Sequence, residues 1–204
     1  MTEIARRLHA LPDSPYPTDE KVAALTFDDA PGPNTAPVLD ALAALGVTAT
    51  FFVVGRKAER APELLRRIVD EGHVIGNHSY EHTALGQMSD TAIRDDFART
   101  GDIVAGITGV TMERARPPYS MSQASRLAML LDPLGYSAVV GWSIDPRDWE
   151  GHDATAVTDH VVEQLHPCAI VLLHAGSGRD QSTAAAIPPI VKAARVLGYR
   201  LVTC

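Results

Sequence analysis

The chain has 204 residues, of which 46% are hydrophobic and 21% charged, and this composition predicts one globular domain with a substantial core. Its formal net charge is −7 and no Lys/Arg run is longer than two residues, so a nucleic acid is not expected as a partner. No apolar run approaches the ~20 residues of a membrane span, and no apolar signal core follows the first residues. We therefore expect a soluble protein without an export signal in this sequence.

Apolar runs alternate with amphipathic stretches along the chain. The predicted strands are Val22–Phe27, Thr48–Val54, His73–Gly76, Glu113–Arg116, Ser137–Trp142, Ala169–Leu173 and Tyr199–Val202. The predicted helices between them are Ala36–Leu45, Lys57–Glu71, Asp90–Ile107, Gln123–Leu134, Ala154–Leu165 and Thr183–Leu197. This alternation predicts an α/β fold with a parallel sheet and right-handed crossovers, and its regularity favours closure toward a barrel. Residues 1–21 are expected to form an irregular N-terminal lead-in to a single domain at 22–204.

Two adjacent carboxylates, Asp28 and Asp29, follow the first predicted strand directly, and a Pro/Gly turn comes next. Neighbouring side chains at the end of an extended run point in different directions. One carboxylate can then bind a cation while the other faces a water on that cation. Metal-assisted hydrolysis needs this combination of a ligand and a separate general base.

Other polar residues also come at the ends of predicted strands. The C-terminal ends of barrel strands form one face, so residues far apart in sequence can share a pocket there. His78 and His82 share a side if their segment is helical or turns tightly, and two histidines with an aspartate suit catalytic zinc. Other divalent ions accept the same ligands, which makes zinc a preference only. The residues in question are His78, His82, Arg116, Asp145, Asp148, Trp149 and His174.

Five motifs in chain order resemble those of carbohydrate esterase family 4, the polysaccharide deacetylases with a NodB homology domain. The resemblance covers residues 22–203, and it implies a distorted (β/α)7 barrel with parallel strands and outer helices. The motifs are Thr26-Phe27-Asp28-Asp29, His78-Ser79-Tyr80-Glu81-His82, Arg116-Pro117-Pro118-Tyr119, Asp145-Pro146-Arg147-Asp148-Trp149 and Leu172-Leu173-His174.

The resemblance also implies a role for each residue of these motifs. One divalent metal ion, with zinc preferred and cobalt, nickel or manganese as alternatives, would be held by Asp29, His78 and His82. Asp28 would be the general base, oriented by Arg116. His174 would be the general acid, with Asp148 paired to it. The remaining three residues would bind substrate: the N–H of Tyr119 would bind the oxyanion, and Trp149 and Leu172 would wall the acetyl pocket.

Several of these residues also have simpler explanations. Asp28 or Asp29 could cap a turn, and Arg116 could be a structural ion-pair partner of Asp148. Asp145 could only fix its own loop. The last two alternatives place Trp149 and His174 in the core.

Three positions depart from the family pattern, although none removes a proposed catalytic group. Ala30 and Ser120 stand where glycine is usual, and Ala175 stands where aspartate is common. If position 30 requires a positive φ, alanine costs about 1 kcal/mol there.

The leading functional hypothesis is a metal-dependent hydrolase of linear amides. It would remove N-acetyl groups from N-acetylglucosamine-containing glycans such as chitin, chito-oligosaccharides or peptidoglycan. One alternative is an O-deacetylase acting on acetylxylan, and the other is a catalytically silent carbohydrate-binding module. We expect a monomer; enzymes of the family that the chain resembles are commonly secreted or surface-associated.

Overall fold

A computed structural model of the protein describes residues 20–176 and 181–204. The expected N-terminal lead-in therefore lies outside the described residues except for its last two positions. Within the described part of the chain, no helix is both long enough and apolar enough to cross a membrane.

The described residues form one seven-stranded sheet in which every strand pair is parallel. The order along the sheet is β5-β4-β3-β2-β1-β6, and β7 also pairs with β1. A bridge from Ile144 to Val171 connects the segment after β5 to β6, so the sheet curls back on itself. This confirms the predicted barrel-like α/β fold. The strands are β1 Val22–Ala30, β2 Thr50–Val53, β3 Val74–Asn77, β4 Arg114–Ala115, β5 Ala138–Val139, β6 Ala169–His174 and β7 Arg200–Val202.

Helices connect the strands and cover the outside of the sheet. The α-helices in the described residues are α1 Thr35–Leu45, α2 Gly55–Arg60, α3 Pro62–Asp70, α4 Asp90–Thr108, α5 Ala124–Leu131, α6 Ala154–Gln164 and α7 Gln181–Val196.

Two helix predictions were wrong in extent. The predicted helix Lys57–Glu71 is two helices, because Ala61 precedes Pro62 and takes φ −136° and ψ 59°. A proline disfavours the α conformation of the residue before it. The predicted helix Gln123–Leu134 is α-helical only to Leu131 and ends in a 3₁₀ turn that contains Pro133.

Side chains of β1 alternate between the two faces of the curled sheet. Ala23, Leu25 and Phe27 belong to the large core beneath the helices, whereas Val22 and Ala24 belong to a smaller core that includes Phe52 and Ile170. Thr26 and Asp28 come next in this alternation, on the same face of β1 as Val22 and Ala24. Asp28 pairs in register with His174 of β6, so the two side chains begin at the same level of the sheet.

Candidate active site

A cavity of ≈ 290 Å³ lies at the C-terminal ends of the strands. Eight of the ten residues to which the resemblance assigns a role line it, and the other two, Arg116 and Asp148, are fully buried. The parallel strands therefore bring together side chains that are separated by up to 146 positions in sequence. The lining residues are Asp28, Asp29, His78, His82, Pro117, Tyr119, Trp142, Asp145, Trp149, Leu172 and His174.

Arg116 fixes the carboxylate of Asp28. Its Nη1 donates to Asp28 Oδ1 at 2.8 Å and to the hydroxyl of Thr26 at 2.8 Å. The rest of the guanidinium donates to the carbonyls of Val140 and Gly141. A buried cation needs such partners because its desolvation is otherwise unfavourable. The alternative pairing of Arg116 with Asp148 is wrong, since Asp148 contacts His174 instead.

Three ligand-type atoms converge at one edge of the cavity. Oδ1 of Asp29 lies 3.1 Å from Nε2 of His82 and 3.9 Å from Nε2 of His78. One donor atom from each of these residues lies within 4.8 Å of the others. Oδ1 of Asp29 is buried and has no hydrogen-bond partner among the described residues. An unpartnered buried carboxylate oxygen facing two imidazoles fits a divalent cation.

The surroundings of His78 define its tautomer. Its Nδ1 lies 2.8 Å from the carbonyl oxygen of Arg116. A carbonyl only accepts, so Nδ1 carries a proton, and Nε2 is the nitrogen that a neutral ring offers to a metal. Arg116 therefore binds two residues of the site: its guanidinium donates to Asp28, and its carbonyl accepts from His78.

The local electrostatics favour the protonation states of a metal-binding set. Burial, followed by the neighbouring His78, lowers the pKa of His82 to about 4, so this imidazole is neutral at pH 7. Burial opposes the ionisation of Asp29, but His82, His78 and Lys57 outweigh it and lower the pKa of Asp29. A neutral imidazole and an ionised carboxylate are the ligand forms of these groups.

Asp148 binds the side of His174 that faces away from the cavity. Its Oδ1 accepts from Nδ1 of His174 at 2.8 Å, and its Oδ2 accepts from the backbone N–H of His174 at 2.8 Å. The hydroxyl of Thr183 also donates to Oδ2. Burial alone would lower the pKa of His174, but the hydrogen bond and charge of Asp148, together with Asp28 and Asp29, raise it to about 9. His174 is therefore an imidazolium at neutral pH, and Asp148 leaves its Nε2–H for the cavity.

Tyr119 and Trp149 give the cavity an exposed aromatic rim. Tyr119 is 69% exposed and Trp149 is 42% exposed, whereas Leu172 is a buried part of the wall. Tyr119 has φ 67°, and its backbone N–H donates to none of the described residues. Asp145 lines the cavity, and its Oδ1 accepts from the N–H of Arg147, a contact within its own loop.

Comparison with known proteins identifies the family. The sequence matches the family description "Polysaccharide deacetylase" over residues 16–139, which is more than half of the chain. The chain belongs to the polysaccharide deacetylase family. The resemblance stated from the motifs is thereby confirmed.

Alignments with named deacetylases cover most of this chain. It is 34% identical to a peptidoglycan-N-acetylglucosamine deacetylase of Bacillus cereus, over 92% of this chain and 68% of that protein. It is 37% identical to a chitooligosaccharide deacetylase of Rhizobium leguminosarum bv. trifolii, over 80% of this chain and 76% of that protein. The crystal structure of the Bc1960 peptidoglycan N-acetylglucosamine deacetylase with 4-naphthalen-1-yl-N-oxidanyl-benzamide superposes with a TM-score of 0.87. That match has 33% identity and covers 92% of this chain and 87% of the other.

The departures from the family pattern are accommodated locally. Ala30 does not have a positive φ, so alanine does not incur the backbone strain considered for that position. The left-handed residue is its neighbour Asp29, with φ 69°. Ala175 is buried, and its N–H donates to the carbonyl of Asp28. The hydroxyl of Ser120 accepts from the N–H of Ser122 and begins a short 3₁₀ turn.

Sequence reasoning missed several residues at this polysaccharide deacetylase site. Nζ of Lys57 donates to the carbonyl of Asp29 at 3.0 Å and lies 3.6 Å from its Oδ2. Trp142 and Pro117 line the cavity without having been assigned a role, although both stand next to motif residues. Lys57 carries no spacing pattern that would have identified it, because it lies in α2 and its partner, Asp29, lies 28 positions earlier in β1.

Proposed function

We propose that the protein is a metal-dependent hydrolase that removes N-acetyl groups from glycans containing N-acetylglucosamine. One observation carries this proposal: three ligand atoms converge beside one carboxylate and one imidazolium. Asp28 is a carboxylate held by Arg116, and His174 is an imidazolium held by Asp148. An amide hydrolase needs both a base for water and an acid for a departing amine.

The metal would be held by Asp29, His78 and His82, with zinc preferred for this ligand set and cobalt, nickel or manganese as alternatives. When bound, a divalent ion lowers the pKa of water and polarises the acyl oxygen of the substrate. Asp28 is not part of this group of converging ligand atoms, and its Oδ1 is engaged by Arg116.

Asp28 would take the proton that the attacking water loses. Its free oxygen, Oδ2, lies 3.5 Å from Nε2 of His78, on the side of the ligand set. The water oxygen forms the new bond to the acetyl carbon. The N–H of Tyr119 would bind the resulting oxyanion, a donor worth about 3 kcal/mol in comparable sites.

His174 would complete the reaction by protonating the amine. The carbon–nitrogen bond breaks as Nε2–H of His174 passes its proton to the sugar nitrogen, and the products are acetate and a free amino group. A pKa of about 9 keeps this proton in place at neutral pH. Asp148 binds the opposite nitrogen and so aims the imidazolium at the cavity.

The substrate class rests on the relatives and on the cavity wall. Relatives with 34% and 37% identity are named for peptidoglycan N-acetylglucosamine and for chito-oligosaccharide. Exposed Trp149 and Tyr119 offer flat apolar surfaces on which a sugar ring can lie, and Leu172 offers an apolar surface for the acetyl methyl. All the lining residues in the described part of the chain come from one copy, which supports action as a monomer.

We also propose that residues 22–204 act as one catalytic domain. Both β6 and β7 pair with β1, so the C-terminal part of the chain completes the same sheet. His174, the proposed acid, is the last residue of β6. The segment following the family match at residue 139 is therefore needed for the site.

Acetate release tests the function. Chelator-stripped protein reloaded with Zn²⁺ should release acetate from N-acetylglucosamine oligomers or from peptidoglycan fragments. Asp28→Asn should lower kcat by about 100-fold or more while still binding the metal, since general-base catalysis contributes 10²–10⁴-fold. Asp70→Asn, at an exposed position at the end of α3, is the matched control and should leave the rate unchanged.

Other outcomes would point to the alternative functions. Faster release from acetylxylan than from N-acetylglucosamine oligomers would indicate an O-deacetylase. Glycan binding without any acetate release, and without an effect of Asp28→Asn, would indicate a silent binding module. Full activity after the metal is stripped would contradict the proposed chemistry.

A further inference from the structure

The loop that carries both histidine ligands has an unfavourable backbone. Ser79 has φ 70° and His82 has φ 59°, so two residues that are not glycine lie in the left-handed region. Such conformations persist only where the surroundings hold them. Two bonds act within this segment: Asn77 Oδ1 accepts from the N–H of Ser79, and the hydroxyl of Ser79 accepts from the N–H of His82.

Asp96 of α4 contacts the middle of this loop from outside. Its Oδ1 accepts from the N–H of Tyr80 at 2.5 Å, and its Oδ2 accepts from the N–H of Glu81 at 3.2 Å. Each oxygen of one carboxylate thus binds one of two successive amides. Charge-assisted bonds of this kind are stronger than bonds between neutral groups.

Helix α4, which carries Asp96, is packed firmly against the barrel. Ile93, Phe97 and Thr100 are fully buried on the face of α4 that packs against the barrel. The carbonyl of Phe97 accepts from Nδ2 of Asn77, which is the residue before the first ligand. Helix α4 therefore binds the loop at its start and at its middle.

We propose that Asp96 is a positioning residue for the metal centre: it fixes the loop so that the Nε2 atoms of His78 and His82 meet Asp29. This inference rests on the metal-binding role proposed above. Asp96 itself is outside the group of converging ligand atoms, so its effect passes through the backbone at Tyr80 and Glu81. An Asn side chain at position 96 has only one acceptor oxygen, and one of the two amides would lose its partner.

Metal affinity measured by chelator competition with Zn²⁺ tests this role. In Asp96→Asn the affinity should fall about tenfold or more, as for other groups that orient metal ligands. Activity at saturating Zn²⁺ should return to about the wild-type value, because no group of the chemical step is changed. Asp95→Asn, the neighbouring exposed residue of the same helix, removes the same charge and should leave the affinity unchanged. Asp96→Glu keeps both acceptors and should retain most of the affinity.

Hydrogen exchange of the metal-free protein gives a second, direct measurement. The amides of Tyr80 and Glu81 should be protected in the wild type and in Asp95→Asn, and should exchange faster in Asp96→Asn. Fast exchange of both amides in the wild type would overturn the proposal even if Asp96→Asn fails to fold. Unchanged Zn²⁺ affinity in Asp96→Asn, or an equal loss in Asp95→Asn, would also overturn it. A wild-type protein that binds no Zn²⁺ would instead refute the proposed function.

Discussion

Replacing Asp148 by Asn tests how the proposed proton donor is made. Asp148 is fully buried and accepts from both Nδ1 and the backbone N–H of His174. Burial by itself disfavours the imidazolium, yet these contacts, together with the charges of Asp28 and Asp29, raise the pKa of His174 to about 9, against 6.5 for an ordinary histidine. The difference corresponds to about 3 kcal/mol in favour of the protonated form. In Asp148→Asn, the pKa of His174 should fall to 6.5 or below.

The same shift predicts the pH dependence of stability. A histidine whose pKa is raised by folding stabilises the folded state fully below its unfolded pKa of 6.5 and loses this contribution as the pH rises through the folded value of about 9. Metal-free wild-type protein should therefore lose at most about 3 kcal/mol from this group between these pH values. The variant should lack this loss, because its imidazole is already neutral over that range.

Histidine ring NMR and urea unfolding measure both effects. The ring resonance of His174 is assigned by its disappearance in His174→Gln, and it is titrated in metal-free protein. Asp145→Asn removes another carboxylate of the cavity that does not contact His174, so it should leave the titration near its wild-type position. A titration that stays near 9 in Asp148→Asn would refute the reasoning. So would an unchanged slope of stability against pH.

Three further changes probe other parts of the site. Arg116→Met leaves Asp28 as a buried charge without its partner, so chemical unfolding should show a loss of about 3–5 kcal/mol. Zn²⁺ at about 100 times its Kd should stabilise the metal-free protein by about 2.7 kcal/mol in thermal unfolding, and His82→Ala should remove most of this gain. In Gly176→Ala the new Cβ would lie 2.0 Å from the carbonyl oxygen of Asp29, so stability and Zn²⁺ affinity should both fall. Gly106→Ala, which has open space around it in α4, should instead leave the affinity unchanged and raise stability by about 0.5–1 kcal/mol.

Local patterns were sufficient for the elements of the fold but not for their arrangement. Most of the strands follow from a short apolar run, because burial on both faces of a parallel strand leaves that pattern. The exception is β4, Arg114–Ala115, which is flanked by Glu113 and Arg116. The split of the helix at Ala61 was also readable from Pro62, although the amphipathic pattern continues past it. The strand order and the bridge from Ile144 to Val171 depend on contacts between distant residues, which periodicity does not record.

The candidate site was predictable where its residues fall into short motifs. Asp28, Asp29, His78 and His82 stand in compact groups at strand ends, and strand ends of a parallel sheet meet. The contacts of Lys57 with Asp29, and those of Asp96 with Tyr80 and Glu81, join different elements across 15 to 28 positions of sequence. Neither residue has a spacing that marks it, so each became recognisable only through its partner.

Backbone conformation explains how two adjacent carboxylates serve one cavity. Strict alternation along β1 would place Asp28 on the inner face and Asp29 on the outer face, beneath the helices. The left-handed backbone at Asp29 breaks this alternation and turns its carboxylate toward His78 and His82. That conformation costs on the order of 1–3 kcal/mol for a residue other than glycine, so the surrounding contacts must hold it. Lys57 does so by binding the carbonyl of Asp29.

Asp28 is held in a different way, which couples its chemistry to folding. Arg116 lies inside the curled sheet over the ring of Phe52, and Asp28 is the carboxylate that balances its charge. Thr26 lies two residues earlier, on the same face of β1. Its hydroxyl accepts from the same guanidinium nitrogen and donates to the carbonyl of Val171 in β6. Removing the negative charge of Asp28 therefore removes a base from the cavity and also leaves a buried cation without its counter-ion. For this reason Asp28→Asn should show a loss of stability together with its loss of activity, whereas exposed Asp70→Asn should show neither.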